Sequence, residues 1–310
     1  MSPTTGLTDD HRGFGVPARI PVMLRTAAAV LLPVIAACAC GTGVPSASSV
    51  QPSPQAAPPP PSASSAQPSP SASPPQPSSA RAAGGCQDTF VPSYFYSSTG
   101  WTEAIDTRPA PGVMLLNVDN GAGTAPLSHF QTLVRRAQAA GISVLGYSST
   151  VNGQRPIGSV ETEVNEYKAW YGVNGIFLDL TQGTASELSY YRQLAGYIRA
   201  TVPNAVVWLN PGTYPDQSFM SIANVVLVFE GSYASYLQDQ VPGWVRQYQP
   251  GQFAHVIYAT ARSDLASAVN LSRARRAGHL FVTDLPGSPN PYGAMPSYWA
   301  QEVAAIPANC

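Results

Sequence analysis

Eight short apolar runs recur at regular spacing between residue 86 and the end of the chain, and most of them end in a polar residue. Segments of helical composition separate most of these runs. Strands that alternate with helices are typical of an α/β protein, and eight such units predict a closed (β/α)8 barrel of the TIM type. The predicted strands are residues 90–96, 113–119, 143–150, 175–179, 205–210, 225–230, 255–260 and 279–284.

Four of the intervening segments carry helix signals. Three of them are followed by Gly141, Gly172 and Gly278, and glycine commonly ends a helix in the left-handed conformation. The connection over residues 97–112 is short and rich in Pro and Gly, so we do not expect a full helix there. The predicted helices are residues 127–140, 159–171, 186–201 and 263–277.

Side chains alternate between the two faces of a strand, which predicts those that face the barrel interior. In the fourth strand, Asp179 falls on the interior face and Leu180 on the face covered by helices. In the sixth strand, strict alternation puts Glu230 on the same face as Val226 and Val228.

Two acidic residues end different strands of the predicted barrel. Asp179 ends the fourth strand and Glu230 ends the sixth, and the active site of a TIM barrel lies at the carboxyl ends of its strands. Cleavage of a glycosidic bond uses two carboxyl groups, one of which protonates the leaving oxygen. We therefore predict Asp179 and Glu230 as a catalytic pair. The alternative is that each acid binds backbone or an arginine at the rim.

Further polar and aromatic residues lie at or just beyond the predicted strand ends. Aromatic rings offer flat apolar faces on which sugars stack, and Asn and Asp side chains bind hydroxyl groups. We find no metal-ligand spacing and no phosphate-binding motif, so we predict no metal and no other cofactor. The predicted substrate contacts are Tyr96, Asn117, Tyr147, Asn210, Tyr233, Asp284 and Tyr292.

Composition and charge narrow the class of partner. The chain has 310 residues with 44% hydrophobic content, which is enough for one large domain with its own core. The formal net charge is −1 and no basic patch stands out, which argues against nucleic acid as a partner. We expect a monomer that binds a polysaccharide or an oligosaccharide.

The first 37 residues have the pattern of an export signal. Arg12, Arg19 and Arg25 precede an apolar run over residues 26–37 that is shorter than the roughly 20 residues a membrane-spanning helix needs. The sequence from Ile35 to Cys38 resembles a bacterial lipobox, which implies that Cys38 is lipidated.

Cleavage by ordinary signal peptidase is the alternative to lipidation at Cys38. Met23 is an alternative start, because it gives a shorter basic region before the apolar run. Either form of processing exports the protein.

Residues 38–85 form a linker built mainly from Pro, Ser, Ala and Gln. Such a segment has too little apolar surface to fold, and proline keeps it extended at about 3.1 Å per residue. It predicts a tether that holds the domain over residues 86–310 outside the cytoplasm, lipid-anchored to the membrane or secreted. Cys86 and Cys310 bracket that domain, and an exported protein with such a pair is expected to join them in a disulfide.

Several strand-end segments, in chain order, resemble the spherulin-4 (spherulation-specific) family, and the resemblance runs from about residue 90 to residue 299. It implies a (β/α)8 barrel related to glycoside hydrolases that act on microbial exopolysaccharides, some of them galactosamine-containing polymers of biofilm matrix. It also implies acidic residues at the ends of strands four and six, here Asp179 and Glu230. The segments are Val91 to Tyr96, Leu145-Gly146-Tyr147 with Thr150 and Arg155, Tyr167 to Trp170, Gly175 to Asp179, Leu209 to Thr213, Val228 to Glu230, Val282 to Asp284, Asn290 to Tyr292 and Pro296 to Trp299.

Leu180 departs from the family pattern, because active members carry a second carboxylate there. Val118 also stands where the family tends to have proline.

The first interpretation of the function is an exported glycoside hydrolase with Glu230 as general acid and Asp179 as nucleophile or charge stabiliser, or with these roles reversed. The second is a carbohydrate-binding or cell-surface protein without turnover, which Leu180 favours. A purely structural wall protein is a third.

Overall fold

The computed structural model describes residues 86–306. The predicted signal, Cys38, the linker and Cys310 lie outside these residues, so the domain boundaries, the lipidation and the disulfide stay predictions. Eight parallel strands form a closed barrel in chain order, which confirms the predicted (β/α)8 fold. The strands are β1 (Asp88–Val91), β2 (Val113–Leu116), β3 (Ser143–Ser149), β4 (Gly175–Asp179), β5 (Val206–Leu209), β6 (Val225–Ser232), β7 (Phe253–Tyr258) and β8 (His279–Val282).

The helices cover the outside of the barrel, and within residues 86–306 none is long and apolar enough to cross a membrane. The α-helices are α1 (Ser98–Asp106), α2 (Ser128–Ala139), α3 (Ile157–Glu166), α4 (Leu188–Thr201), α5 (Tyr233–Gln238), α6 (Leu265–Ala274) and α7 (Trp299–Ala305). A π-helical turn, Tyr167–Tyr171, continues α3, and short 3-10 turns occur at Ala185–Glu187, Gln217–Ser221, Gly243–Gln247, Pro250–Gln252 and Arg262–Asp264.

Helix α1 occupies the connection for which the sequence predicted no full helix, so that prediction is wrong. Trp101, Ala104 and Ile105 recur at helical spacing and are all buried against the core. Apolar residues three and four positions apart form one helical face. The prolines that suggested a loop, Pro109 and Pro111, both follow the end of the helix.

Strand β1 also differs from its prediction, since it begins at Asp88 and ends at Val91 rather than running over residues 90–96. Pro92 follows at once and has no backbone N–H to donate to a neighbouring strand, which explains the early end. Tyr94 and Tyr96 therefore lie on a loop above the barrel.

A small cavity in the barrel is lined by both Leu227 and Glu230 of β6. The register between β6 and β7 shifts between Leu227 and Phe229, which marks a β-bulge. A bulge inserts one extra residue and reverses the alternation beyond it. The prediction that Glu230 shares its face with Val226 and Val228 is therefore wrong, although Glu230 does face inward.

Two buried histidines lie in the last two strands. The Tyr236 hydroxyl hydrogen-bonds Nδ1 of His255 at 2.7 Å, and the His279 ring packs 4.8 Å from the ring of Trp208. Burial disfavours the charged imidazolium, which lowers the pKa of His255 to about 3 and that of His279 to about 4.

Because of these two buried histidines, we expect the protein to be less stable in acid. A histidine with a depressed folded pKa stabilises the protein above its unfolded pKa of about 6.5, and this contribution is lost as the pH falls below that value. We expect the free energy of unfolding in urea to drop by a few kcal/mol between pH 7 and pH 4. The variant His255→Gln, which cannot take up a proton but can still bond Tyr236, should show a smaller drop. An equal drop in both proteins would contradict this explanation.

Candidate active site

Four successive strands, β3 to β6, bring one polar side chain each to the barrel mouth: Tyr147, Asp179, Asn210 and Glu230. The Tyr147 hydroxyl donates to Asp179 Oδ2 at 2.7 Å. Nδ2 of Asn210 donates both to Asp179 Oδ1 and to Glu230 Oε2, each at 2.7 Å. Tyr292, on the loop after β8, donates to Glu230 Oε1 at 2.5 Å. The two acids therefore belong to one hydrogen-bonded group with a shared amide at its centre.

The backbone fixes the orientation of the Asn210 amide. The Gly212 N–H donates to Asn210 Oδ1 at 2.9 Å, and since an N–H only donates, the amide nitrogen must face the carboxylates. Gly212 has a φ of 65°, in the left-handed region that glycine adopts freely, and its carbonyl accepts the N–H of Glu230 at 3.2 Å. One tight turn thus connects the central amide to the backbone of Glu230.

Close packing between Tyr167 and β3 supports the position of Tyr147. A Cβ placed on Gly146 would lie 2.6 Å from the ring of Tyr167, so only glycine leaves room for this ring against β3. The Tyr167 hydroxyl lies 2.7 Å from the carbonyl oxygen of Tyr147 and 3.0 Å from that of Leu116. This buried tyrosine holds the strand that presents Tyr147 to Asp179.

The shared amide limits the separation of the two acids. Asp179 Oδ1 and Glu230 Oε2 each lie 2.7 Å from one nitrogen, so they are at most about 5.4 Å apart. Retaining glycosidases place their carboxyl groups about 5–5.5 Å apart, whereas inverting enzymes need roughly 6.5–9.5 Å to admit a water molecule. The upper limit lies below the separation that inverting enzymes need, which favours the retaining class.

Burial raises the pKa of both acids, but their surroundings differ. Hydrogen bonds from Tyr147, the Leu180 N–H and Asn210 favour the ionised form of Asp179 and oppose the rise. For Glu230, burial raises the pKa first and the negative charge of Asp179 raises it further, against hydrogen bonds from Tyr292 and Asn210. These surroundings favour Asp179 as the ionised member of the pair and Glu230 as the protonated one.

The alternative that the two acids bind arginines at the rim finds no support in their contacts. Their side-chain partners are Tyr147, Tyr292 and Asn210, and Asp179 also accepts the backbone N–H of Leu180. Arg155, at the mouth after β3, instead pairs with the buried Glu163 at 2.7 Å. Glu163 also accepts a hydrogen bond from Ser148 and thereby ties α3 to the strand before the mouth.

Tyr94 is a site residue that the strand-end analysis did not select. Its ring lies edge-on to Tyr147 and to Tyr292, with ring centroids 5.4 Å apart in both cases. Burial raises the pKa of Tyr94 well above its usual range, and the charge of Asp179 adds to the rise. Tyr94 closes a ring of tyrosines around the acids. The resemblance to the family, which includes this segment, was the signal that could have identified it.

The structure brings three of the predicted substrate contacts to the acids: Tyr147, Asn210 and Tyr292. It gives two others local partners. Asn117 Oδ1 accepts the Gly121 N–H at 3.1 Å within its own loop. Asp284 Oδ1 accepts the Ser297 N–H at 3.0 Å, and this bonding lowers the pKa of the Asp284 carboxyl, although burial works in the opposite direction.

Tyr96 lies on the loop after β1, and Tyr233 lies at the start of α5. Tyr96 is 59% exposed and its ring packs edge-on to His129 and Phe130, so one of its faces remains open to a ligand. Tyr233 begins α5 and packs against the cluster that contains Phe229. The roles of all these residues toward a substrate stay predictions.

Comparisons with known proteins agree with this architecture. The model of Spherulation-specific family 4 matches residues 88–306. Spherulin-4 of Physarum polycephalum is 29% identical over 232 residues, which cover 70% of this chain and 69% of that protein. The crystal structure of Aspergillus clavatus Sph3 in complex with GalNAc matches with a TM-score of 0.63 and 25% identity, over 71% of this chain and 97% of that one.

A more distant match shows the fold alone. The spore cortex-lytic enzyme SleL of Bacillus cereus aligns with a TM-score of 0.50 at 7% identity, over 71% of this chain and 74% of that one. The family model, in contrast, spans the barrel from its first strand to its last helix. On that match, the chain belongs to Spherulation-specific family 4.

Proposed function

We propose that this protein is a retaining glycoside hydrolase of microbial polysaccharides. The observation that carries the proposal is the pair Asp179 and Glu230, held at most about 5.4 Å apart by the one amide of Asn210 at the mouth of a (β/α)8 barrel. Two carboxyl groups at this spacing fit a nucleophile and an acid on one glycosidic bond. Their different pKa environments support Asp179 as the nucleophile and Glu230 as the acid.

In the first step, the Asp179 carboxylate attacks the anomeric carbon while Glu230 gives its proton to the leaving oxygen. The bond to the leaving sugar breaks and a covalent glycosyl ester forms on Asp179. In the second step, ionised Glu230 takes a proton from a water molecule, and the resulting hydroxyl displaces Asp179. Both residues return to their starting forms, and two inversions give net retention of configuration.

The substrate class is supported by the family comparison. Sph3, at 25% identity, was crystallised in complex with GalNAc. We propose that this chain acts on a polysaccharide that contains N-acetylgalactosamine. The export signal and the linker support an extracytoplasmic location, with Cys38 as the lipid anchor and a monomeric barrel at the end of the tether.

A carbohydrate-binding protein without turnover is the second candidate. Leu180 favours it, because active members of the family carry a carboxylate at this position. A binding protein of this kind would hold an intact oligosaccharide in the same ring of tyrosines and release no products.

The test is hydrolysis by the purified protein. It is incubated with a panel of exopolysaccharides, with and without N-acetylgalactosamine, and newly formed reducing ends are counted against a Glu230→Gln control. We expect the wild-type protein to form new reducing ends on the N-acetylgalactosamine polymers. The Glu230→Gln control should form none. Binding without release would move the assignment to the second candidate, and neither binding nor release would exclude both.

A further inference from the structure

Tyr258, the last residue of β7, is a side chain at the barrel mouth that the proposed mechanism does not use. From His255 to its end, β7 pairs with β6 without a break, so that Val256 lies opposite Glu230 and Tyr258 lies opposite Ser232. Val256 lines the same cavity as Glu230. Because side chains two residues apart share one face of a strand, Tyr258 also faces the barrel axis, about 6–7 Å nearer the mouth than Val256.

Alternation holds for Tyr258 because this residue is still paired within the sheet. Its neighbour Ile257 faces the other way and packs with Leu265 of α6, whereas Tyr258 is only partly buried. Leu180 shows how alternation fails beyond the end of a strand. It follows β4 with a φ of 49° and is 48% exposed, so the prediction that it lies on the face covered by helices is wrong.

The loop after β8 fixes the ring of Tyr258. A Cβ placed on Gly287 would lie 2.7 Å from this ring, so the backbone of the loop packs directly against it. The Ala259 N–H donates to the Leu285 carbonyl at 2.8 Å and ties the same loop to the end of β7. The ring is therefore held in place before a ligand arrives, which reduces the entropy lost on binding.

The hydroxyl of Tyr258, in contrast, has no role within the protein. Tyr292 already donates to Glu230 Oε1 and Asn210 to Oε2, so the acid needs no further donor to orient it. Within residues 86–306, the Tyr258 hydroxyl has no hydrogen-bond partner. Burial raises its pKa and the negative charge of Glu230 raises it further, so the hydroxyl stays neutral and keeps a proton to donate.

The order of strands puts Tyr258 on one particular side of the acids. Asp179 lies on β4 and Glu230 on β6, and β7 continues this order away from Asp179. In the proposed reaction, Asp179 attacks one sugar and Glu230 protonates the oxygen that leaves, so the leaving sugar extends past Glu230. We propose that the Tyr258 hydroxyl binds a hydroxyl group of this leaving sugar. The inference rests on the proposed function, which supplies the position of the leaving oxygen.

The chemistry of the leaving group supports this assignment. A tyrosine hydroxyl both donates and accepts, so it can pair with a sugar hydroxyl in either direction. The ring adds an apolar face on which either a sugar or an aryl group can rest. A fluorinated phenyl group has no hydroxyl for Tyr258 to bind. The Tyr258 hydroxyl should therefore favour substrates whose leaving group is a sugar.

The experiment compares full-length wild-type protein with Tyr258→Phe on two substrates. One is a hexasaccharide of N-acetylgalactosamine, and the other is a trisaccharide of the same sugar linked to a difluorophenyl group. Phenylalanine keeps the ring and its packing against Gly287 and removes only the hydroxyl. We expect kcat/KM for the hexasaccharide to fall about 3–10-fold, the scale of one hydrogen bond between neutral groups. The kcat/KM for the aryl substrate should not change.

Tyr197→Phe is the matched control. The Tyr197 hydroxyl accepts a hydrogen bond from Asn165 at 2.8 Å on the outside of the barrel, so its loss should change neither kcat/KM value. If Tyr258→Phe leaves the hexasaccharide unaffected, or slows the aryl substrate as much as the hexasaccharide, the inference is overturned.

Binding separates this inference from the hydrolase proposal. If the wild-type protein cleaves neither substrate, the hydrolase proposal fails, and the Kd for the hexasaccharide decides the role of Tyr258. The same Kd decides if only one substrate is cleaved. A Kd raised about 3–10-fold in Tyr258→Phe would support Tyr258 as a sugar contact. An unchanged Kd, or no binding to the wild-type protein, would overturn it.

Discussion

Glu230→Gln is expected to lower turnover of a polysaccharide by about 10²–10⁴-fold, the usual cost of removing a general acid. The leaving group of a natural substrate is a sugar alkoxide, which needs the proton that Glu230 carries. An aryl oligosaccharide releases a stable phenolate and needs no proton. Formation of the glycosyl-enzyme from such a substrate should therefore be nearly unimpaired in Glu230→Gln. Stopped-flow measurements should show it as a burst of phenolate.

Asp179→Asn is the companion variant that separates the two roles. Without the nucleophile, the aryl and the natural substrate should both react at least about 10²-fold more slowly, and no burst should appear. If Asp179→Asn shows the burst and Glu230→Gln does not, the roles are reversed. Full activity of both variants on the polysaccharide would falsify the pairing altogether.

The second large effect is expected at Asn210, because a single amide serves both acids. Asn210→Ala removes the hydrogen bond that opposes the rise in the pKa of Asp179 and, likewise, the one that opposes the rise in the pKa of Glu230. A hydrogen bond to a charged group contributes roughly 1.5–3 kcal/mol, so we expect a fall in kcat/KM of about 10–100-fold.

The dependence of kcat/KM on pH should distinguish Asn210→Ala from the wild-type protein. Activity needs ionised Asp179 and protonated Glu230, which predicts a bell-shaped dependence of kcat/KM on pH. The removal of Asn210 raises both pKa values, so both limbs of the bell should move to higher pH. Asn224→Ala is the control: Asn224 Oδ1 accepts the Val207 N–H at 2.9 Å, outside the group at the mouth. This variant should lose stability but keep the wild-type profile, and an unmoved profile in Asn210→Ala would contradict the shared-amide mechanism.

The order of strands and the positions of the two acids followed from sequence because both depend on local patterns. Apolar runs that end in polar residues mark strands whatever surrounds them, and parallel strands bring their ends to one rim. The direction of Glu230 did not follow from alternation. A bulge within the uniform apolar run of β6 leaves no trace in the identity of its residues, since Val226, Leu227 and Val228 suit either face.

Loop residues were harder to predict for a related reason. Tyr94 lies three residues beyond β1, where no periodicity applies, and only the three-dimensional path of the loop brings it between Tyr147 and Tyr292. Asn117 and Asp284 show the opposite case. Both are polar residues after a strand, but each binds a backbone N–H of a nearby loop. The sequence does not distinguish an acceptor for a ligand from an acceptor for the chain itself.

The direction of the first strand determines how the domain is presented. The described chain enters β1 at Asp88, at the amino end of the barrel, whereas Asp179 and Glu230 lie at the opposite end. The described domain is therefore entered at the end of the barrel away from the acids. A ligand that reaches the mouth and the chain that enters β1 meet the barrel at opposite ends.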